Sequence, residues 1–403
     1  MQQVFKKIAF VVPRYEEGLG GGAETLIGSL ARNYAEFLQA NNLDSKDYVH
    51  IITTTSVDHR TWEAKYPEGD SFEHGIKISR FNISSRDLEK FIPFELNLQN
   101  GIIGDWHHQL DWLKNGVNSS SLYNYLLDCR ERYDHFIFAP YLFSISFFGT
   151  LIVGDKSILL PCLHDEPYAY LNLIKFLHVK AGKIIFNAGA EADLAYRLYG
   201  KELEQKSHVV GMEIPDLKTE KSSDFKMQKN SYILYSGRKE RGKNLDFLID
   251  SFVSIRSELV KRAGIDLKLV IIGSGKIDFL DSMPEGVIDL GFVSEQEKFS
   301  LMKDSLALIQ PSTNESFSIV IMESWIQETP VIVHADCAVT LSHVSQSKGG
   351  LSFANSEQLM SEILKLSENL ELRDSMGLSG RNFVLSNYSK AAVTDRFIAA
   401  VSY

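Results

Sequence analysis

Residues 215–237 read PDLKTEKSSDFKMQKNSYILYSG, and the reading of this stretch decides the fold. From Pro215 to Asn230 it is rich in lysine, serine and acids, with almost no apolar pattern, which is the composition of a linker. At YILYSG a short apolar, aromatic run restarts the pattern of a strand. Upstream, the runs KIAFVVP, YVHIITTT, IKISRF, HFIFAP, SILLPCLH, KIIFNA and SHVVGM alternate with helical patterns. The first of these, AETLIGSLARNYAEFLQA, sets Leu26, Leu30, Tyr34 and Leu38 at helical spacing. Downstream, LKLVIIGSG, VIDLGF, LALIQPS and PVIVH alternate with helices again, and helical patterns continue at 356–367, 370–381 and 388–401. Such alternation is that of a parallel sheet covered by helices on both faces. The expected fold is α/β, with two doubly wound parallel-sheet (Rossmann-like) domains facing a central cleft. Residues 1–212 form the first domain, 213–230 the linker and 231–385 the second, and a helix over 386–403 is expected to pack back toward the first. Ligands of such sheets bind at the carboxyl ends of the strands.

The bulk numbers agree with two domains. A chain of 403 residues holds two or three at roughly 100–200 residues each. The formal net charge is −10, of which −6 falls before Ile214 (21 basic and 27 acidic residues) and −4 after it. Neither part is a basic platform, which argues against nucleic acid as the main partner. Cys129, Cys162 and Cys337 show neither metal spacing nor a disulfide framework, and point to a reducing cytoplasm. The opening MQQVFKKIAFVVPRY is a first strand rather than a signal peptide, because its apolar run soon meets a proline. Residues 135–154 carry no Asp, Glu, Lys or Arg and are long enough to span a bilayer. Pro140, the hydroxyl residues and two glycines argue instead for a buried strand, a break, and a buried helix ending near Gly149.

Five runs could carry chemistry. In GLGGGAE, Gly18 to Glu24, Gly20, Gly21 and Gly22 allow a tight turn and close approach to a ligand, ahead of a helix start that suits an anion. This is not the G-x-G-x-x-G pattern, and a plain turn is the alternative. In SGRKERGKN, Ser236 to Asn244, Gly237 turns the chain while Arg238 and Lys243 offer a fork and a flexible ammonium that suit a diphosphate. The alternative is a solvated basic loop that also holds Lys239 and Arg241. In LLPCLHDEPYAY, His164 ends a strand on the side where ligands bind, with Asp165 and Glu166 beside it. Adjacent residues converge poorly on one ion, so no metal is expected there. In VIIGSGK, Gly273 and Gly275 make a second strand-end turn against which a base could lie. In NESFSIVIMESW a helix is expected to start near Ser316 or Ser318, with the amides of Phe317, Ser318, Ile319 and Val320 in its first turn. Glu315 then precedes the turn and Glu323 lies inside the helix, too far apart for a close dyad. Each could accept the two hydroxyls of a diol; the alternative for Glu323 is an ordinary surface acid.

Together these runs resemble glycosyltransferase family 4, retaining enzymes of the GT-B fold, over most of the chain. GLGGGAE resembles the family's N-terminal glycine loop, GRKERGK its donor-phosphate motif, and NESFSIVIMESW its E-x7-E motif, followed by ETPVIV. LPCLHDEPYAYL is similar to a variant in bacterial enzymes that build surface polysaccharides. The resemblance implies that Glu315 holds donor-sugar hydroxyls and Glu323 the ribose diol. Arg238 and Lys243 would neutralise the departing diphosphate. Ser316, Phe317, Ser318 and Ile319 would contact it at the helix start, with Gly237 and Gly273 in the donor site. His164 would lie beside the sugar, and Gly21 and Gly22 would approach the phosphates or the acceptor. His164, Glu315, Arg238 and Lys243 are thus the expected catalytic set. Two departures stand out: Glu328 and Thr329 replace the small residues usual before the proline, and Asn244 replaces the glycine after Lys243. No D-x-D occurs, so a metal-free site with no cofactor beyond the nucleotide sugar is expected. The implied activity is transfer of a hexose, first of all mannose from GDP-mannose, to a glycan or lipid-linked saccharide in cell-surface polysaccharide synthesis. The alternatives are a UDP-hexose donor, or an epimerase or hydrolase on the same fold. The expected location is the cytoplasm; the acceptor class is compatible with peripheral contact at the inner membrane, although no polybasic helix supports it. Trp106 and Trp112 are either exposed acceptor-side aromatics or core residues.

Overall fold

The computed structural model describes residues 5–18, 22–221, 223–225, 227–264 and 266–402. The chain forms two units, Met1–Glu213 with Lys390–Tyr403, and Ile214–Ser389.

The first unit is built on eight strands among the described residues: β1 (Ile8–Val11), β2 (Val49–Thr54), β3 (Gly69–Glu73), β4 (Ile76–Phe81), β5 (His135–Phe138), β6 (Ser157–Leu159), β7 (Lys183–Phe186) and β8 (Ser207–Val209). Their order in the sheet is β3-β4-β2-β1-β5-β6-β7-β8. All pairings are parallel except β3 with β4, an edge hairpin that the sequence pattern did not reveal. Glycine, aspartate and serine open β3, and its exposed edge face leaves no apolar run to read. In β1, by contrast, every residue is buried, because helices cover both faces of the sheet there. Helix Gly22–Ala40 lays Leu26, Leu30, Tyr34 and Leu38 against the sheet, all buried. The terminal helix Lys390–Ser402 belongs to this unit: Phe397 stacks on Phe10 and meets the Tyr34 ring edge-on. The charge-free segment is β5, then Pro140, then helix Ser144–Val153, which runs four residues beyond Gly149 and buries Ile145, Phe147 and Val153. Among the described residues no helix is long and apolar enough to cross a membrane. Trp112 is core, donating its Nε1–H to Glu95, whereas Trp106 is 40% exposed and packs on Phe176.

Among the described residues the second unit has six strands: β9 (Tyr232–Ser236), β10 (Lys268–Ile272), β11 (Val287–Gly291), β12 (Leu308–Gln310), β13 (Val331–His334) and β14 (Gly350–Phe353). They are all parallel, in the order β11-β10-β9-β12-β13-β14. From β9 the chain winds outward one way to β11, then returns beside β9 as β12 and winds the other way. That reversal is the switch point of a doubly wound sheet, where loops splay and leave a crevice. Strand β14, GLSF, and helix Ala338–Ser347 before it were not legible, since neither carries a strong periodic apolar run.

The stretch read as a linker needs correction. Residues from Ile214 on belong to the second unit, and the described residues up to Asn230 lie along it as a strap without helix or strand. The Thr219 amide donates to Gln327 Oε1 at 2.9 Å, Gln327 Nε2 donates to Leu217 O at 2.9 Å, and Arg381 grips Asp216 at 2.8 Å. Its polarity reflects side chains that pair with this unit's surface, not a free chain.

Candidate active site

The switch point of the second unit lies between β9 and β12, and the loops after these strands carry most of the candidate residues. Lys243 Nζ donates to Glu315 Oε1 at 2.8 Å, with the carboxylate side chain 11% exposed. Asn244 Nδ2 donates to Pro311 O at 3.0 Å and ties the same two loops a second time. Asn244 has φ 58°, and asparagine is among the few non-glycine residues that accept this left-handed region, which accounts for the departure from glycine. The other departure is similar in backbone and different in device. Glu328, at φ 58°, is held by Lys218 at 2.8 Å, while Thr329 Oγ1 donates to Met302 O at 2.9 Å.

Arg238 extends from the β9 turn, its side chain 61% exposed and 3.1 Å from Glu240. Its backbone is fixed: Tyr235, a buried ring, donates its hydroxyl to Arg238 O at 2.7 Å. Gly237 and Gly273 meet back to back. The Gly237 amide donates to Ile272 O, and a Cβ on Gly273 (φ 131°) would fall 1.9 Å from Gly237 O, so only glycine fits there. Lys239 is not part of a solvated loop. Its side chain is 2% exposed, and its Nζ donates to Asp289 Oδ1 at 2.5 Å, on the far edge strand β11.

The helix of the NESFSIVIMESW run begins at Ile319, with Ser318 at the cap position, the second of the two starts expected, and runs to Ile326. Ser318 occupies the cap position but sits at φ 69° with no capping bond, because its Oγ accepts from Gln310 Nε2 at 3.1 Å. The first-turn donors are therefore the amides of Ile319, Val320 and Ile321, not those of Phe317 and Ser318. The Phe317 ring is buried, edge-on to Tyr388 and His343, and so anchors the loop that carries Glu315 and Ser316. Glu323 sits inside this helix and accepts from Lys298 Nζ at 2.5 Å. Burial raises its carboxyl above the usual range against the pull of Lys298. The two glutamates are thus held by two different lysines and do not form a dyad.

In the first unit His164 lies five residues past the end of β6, in a loop and not on the strand. Its Nδ1 is 3.6 Å from Glu166 Oε1, which also accepts from the Tyr141 hydroxyl at 2.8 Å. Gly22 opens the first helix, and a Cβ there would meet nothing within 4 Å among the described residues; Gly20 and Gly21 lie outside them. Near it, Arg14 pairs with Glu24 at 2.5 Å, both nearly buried. Among the described residues no group of three or more His, Cys, Asp or Glu is placed to hold a metal ion. The sequence reading missed three buried polar devices: Lys239–Asp289, Tyr141–Glu166, and a carboxylate at Glu191. Their partners stand 50, 25 and 28 residues apart, so local spacing holds no trace of them.

Residues 218–383 match the family described as "Glycosyl transferases group 1". Human "Alpha-1,3/1,6-mannosyltransferase ALG2" is 24% identical over 200 residues, covering 45% of this chain and 48% of that protein, so the matched part is about half the length of the curated relatives. Among solved structures, Anabaena Alr3699/HepE in complex with UDP superposes with a TM-score of 0.70 at 15% identity, covering 98% of this chain and 99% of that one. Sucrose-phosphate synthase from Thermosynechococcus elongatus gives 0.67 at 13% identity, with 97% of each chain covered. The fold is GT-B, with two parallel-sheet α/β units, and the likenesses support a glycosyl-transferring enzyme.

Proposed function

We propose that this chain is a nucleotide-sugar-dependent hexosyltransferase of the retaining, family 4 type, acting on a glycan or lipid-linked saccharide in cell-surface polysaccharide synthesis. One observation carries the reading: the switch-point loops of the second unit bring Lys243 and Glu315 together ahead of a helix start, inside the segment that matches the glycosyl transferase family. The sugar–phosphate bond breaks with oxocarbenium character on the sugar, and the electron pair leaves with the diphosphate. Arg238, Lys243 and the Ile319–Ile321 amides supply the positive field that stabilises this departing charge. A compact ammonium on a flexible stem exchanges a carboxylate for a phosphate with small motion, so the pair with Glu315 is a resting arrangement. Glu315, released, accepts donor-sugar hydroxyls, Glu323 accepts the ribose diol, and His164 is assigned to the donor sugar. The acceptor hydroxyl gives its proton to the leaving phosphate on the same face, which retains the anomeric configuration. No metal takes part.

Mannose carried by GDP is the first donor to test, in keeping with the mannosyltransferase likeness, and UDP-hexoses are the alternative. A thermal-shift screen against GDP, UDP, ADP and their sugars identifies the donor, because a ligand that binds only the native state raises apparent stability. Nucleoside diphosphates without effect at millimolar concentration would remove the reading. An inverted product would reject retention, and complete loss of activity with chelator, restored by magnesium, would reject the metal-free site. The 3.6 Å approach of His164 to Glu166 leaves an acid/base pair for an epimerase or hydrolase; sugar products formed without acceptor would favour that instead.

A further inference from the structure

We infer that Glu191 is a positioning residue that sets the backbone of the His164 loop, and through it the rate of the reaction; this rests on the role proposed for His164. Glu191 lies on helix Gly189–Tyr199 and is fully buried. Its two oxygens accept from two strand-end loops: Oε1 from the Leu163 amide and Oε2 from the Asn187 amide, both at 2.6 Å. Leu163 is the residue immediately before His164, so the carboxylate fixes the peptide from which His164 springs.

The loop needs such a hold. Cys162, one residue earlier, has φ 54°, a left-handed conformation that costs a non-glycine residue of this kind free energy. Its Sγ accepts from Asn187 Nδ2 at 3.6 Å, so Cys162 is tied to the loop after β7 and Leu163 to the helix that follows that loop. The other side is closed as well. The Tyr141 amide donates to Pro161 O at 3.0 Å, its hydroxyl reaches Glu166, and the Glu166 amide donates to His164 O at 3.0 Å. A strained residue persists where its surroundings over-determine it, and such places cluster at working sites. Five residues from the end of β6 to Glu166 are held this way, whereas a connection with no task could relax. A buried carboxylate that accepts two backbone amides is also a demanding device for a surface turn, since removing it leaves two amides without acceptors.

The test is a double-mutant cycle on the full chain with Glu191→Gln and His164→Ala. Glutamine keeps one acceptor and turns an NH2 group toward the other backbone amide, so one of the two ties is lost. Glu191→Gln is expected to lower kcat about 10–100-fold, the range for a displaced catalytic group, with KM for the nucleotide sugar unchanged. In the His164→Ala background the same change is expected to have no further effect, because residues acting as one unit are not additive. A thermal melt of each variant confirms folding. If Glu191→Gln does not fold, Glu191→Asp, which keeps a carboxyl group and reaches one amide, runs the same cycle. An unchanged kcat in the single variant overturns the inference, as does an equal loss in both backgrounds. A His164→Ala variant with full activity overturns the role of His164 itself, a different failure visible in a different arm.

Discussion

Lys243 Nζ and Glu315 Oε1 lie 2.8 Å apart across the point where strand order reverses in the second unit, joining loops 72 residues apart in sequence. Both groups are largely shielded, so the pair is worth more than an exposed one and each partner depends on the other. Two consequences can be separated. Lys243→Ala together with Arg238→Ala removes the cations facing the proposed diphosphate. Turnover is expected to fall about 10²–10⁴-fold, the scale for lost electrostatic stabilisation of a transition state, while circular dichroism stays that of the parent. Near-normal steady-state rates in the double variant would reject the diphosphate assignment.

Glu323 and Glu315 are expected to fail differently. Glu323, held by Lys298 inside the helix, is assigned to the ribose, a contact made equally in the ground and transition states. Glu323→Gln should therefore raise KM and the nucleoside diphosphate Kd, about tenfold for one hydrogen bond to a charged group, with kcat little changed. Glu315→Gln should lower kcat and leave nucleotide affinity near that of the parent. Calorimetric titration with the diphosphate, beside initial rates, distinguishes the two; the reverse pattern would exchange their roles.

Acid should act through buried imidazoles. His178 is fully buried, and burial depresses its pKa to about 4, with Nδ1 facing Ile174 O and Lys206 adding a smaller push in the same direction. The unfolded chain takes up a proton near pH 6.5 that the folded one refuses until about pH 4. Unfolded protein thus binds more protons in that window, so stability falls as pH drops from 6.5 toward 4. At about 1.4 kcal/mol per pH unit, the term reaches about 2 kcal/mol by pH 5. Burial pushes Glu191 up to about 8, which acts with the opposite sign, but it cancels when parent and variant are compared. Denaturant melts of the parent and of His178→Phe should show the gap shifting in favour of the variant by that amount between pH 6.5 and 5. Parallel curves would mean that the imidazole can charge in place.

Much of this was legible beforehand, and the reasons are physical. Strands such as IAFV at 8–11 and the LVII run at 269–272 are buried on both faces, so their residues are apolar without a break and announce themselves. The loops at the switch point were legible because a sheet's winding dictates where crevices fall, and Arg238, Lys243 and Glu315 stand just past strand ends. What escaped was set by contacts far along the chain. Ser318 has the chemistry of a cap and holds the cap position, yet its hydroxyl pairs with Gln310 and makes no capping bond. The polar strap at 215–230 has the composition of a linker, yet Gln327 and Arg381 bind it to the second unit.

Lys239 is the sharpest such case, since four charged or polar neighbours in sequence suggested a solvated loop. Its side chain is buried against Asp289, while Asp289 keeps 24% of its own side chain exposed and also accepts from the Gly291 amide at 2.9 Å. The two halves of the pair are therefore unequal. Lys239→Met replaces the ammonium with a thioether of similar length and leaves a carboxylate that still reaches water and one amide. Exchanging a buried charge for an apolar group of like volume is often close to neutral, so stability should change by less than about 1.5 kcal/mol. Asp289→Ala leaves the ammonium buried with no counter-charge, which costs about 3–5 kcal/mol or forces the β9 turn to open and expose it. In that second case Arg238, the residue before Lys239, loses its footing, and the nucleoside diphosphate Kd should weaken along with the melting point. Urea melts of the two single variants, with diphosphate titrations on each, decide the matter. Equal losses from both substitutions would show that Lys239 reaches water as readily as Asp289 does, and that the turn is not held by burial.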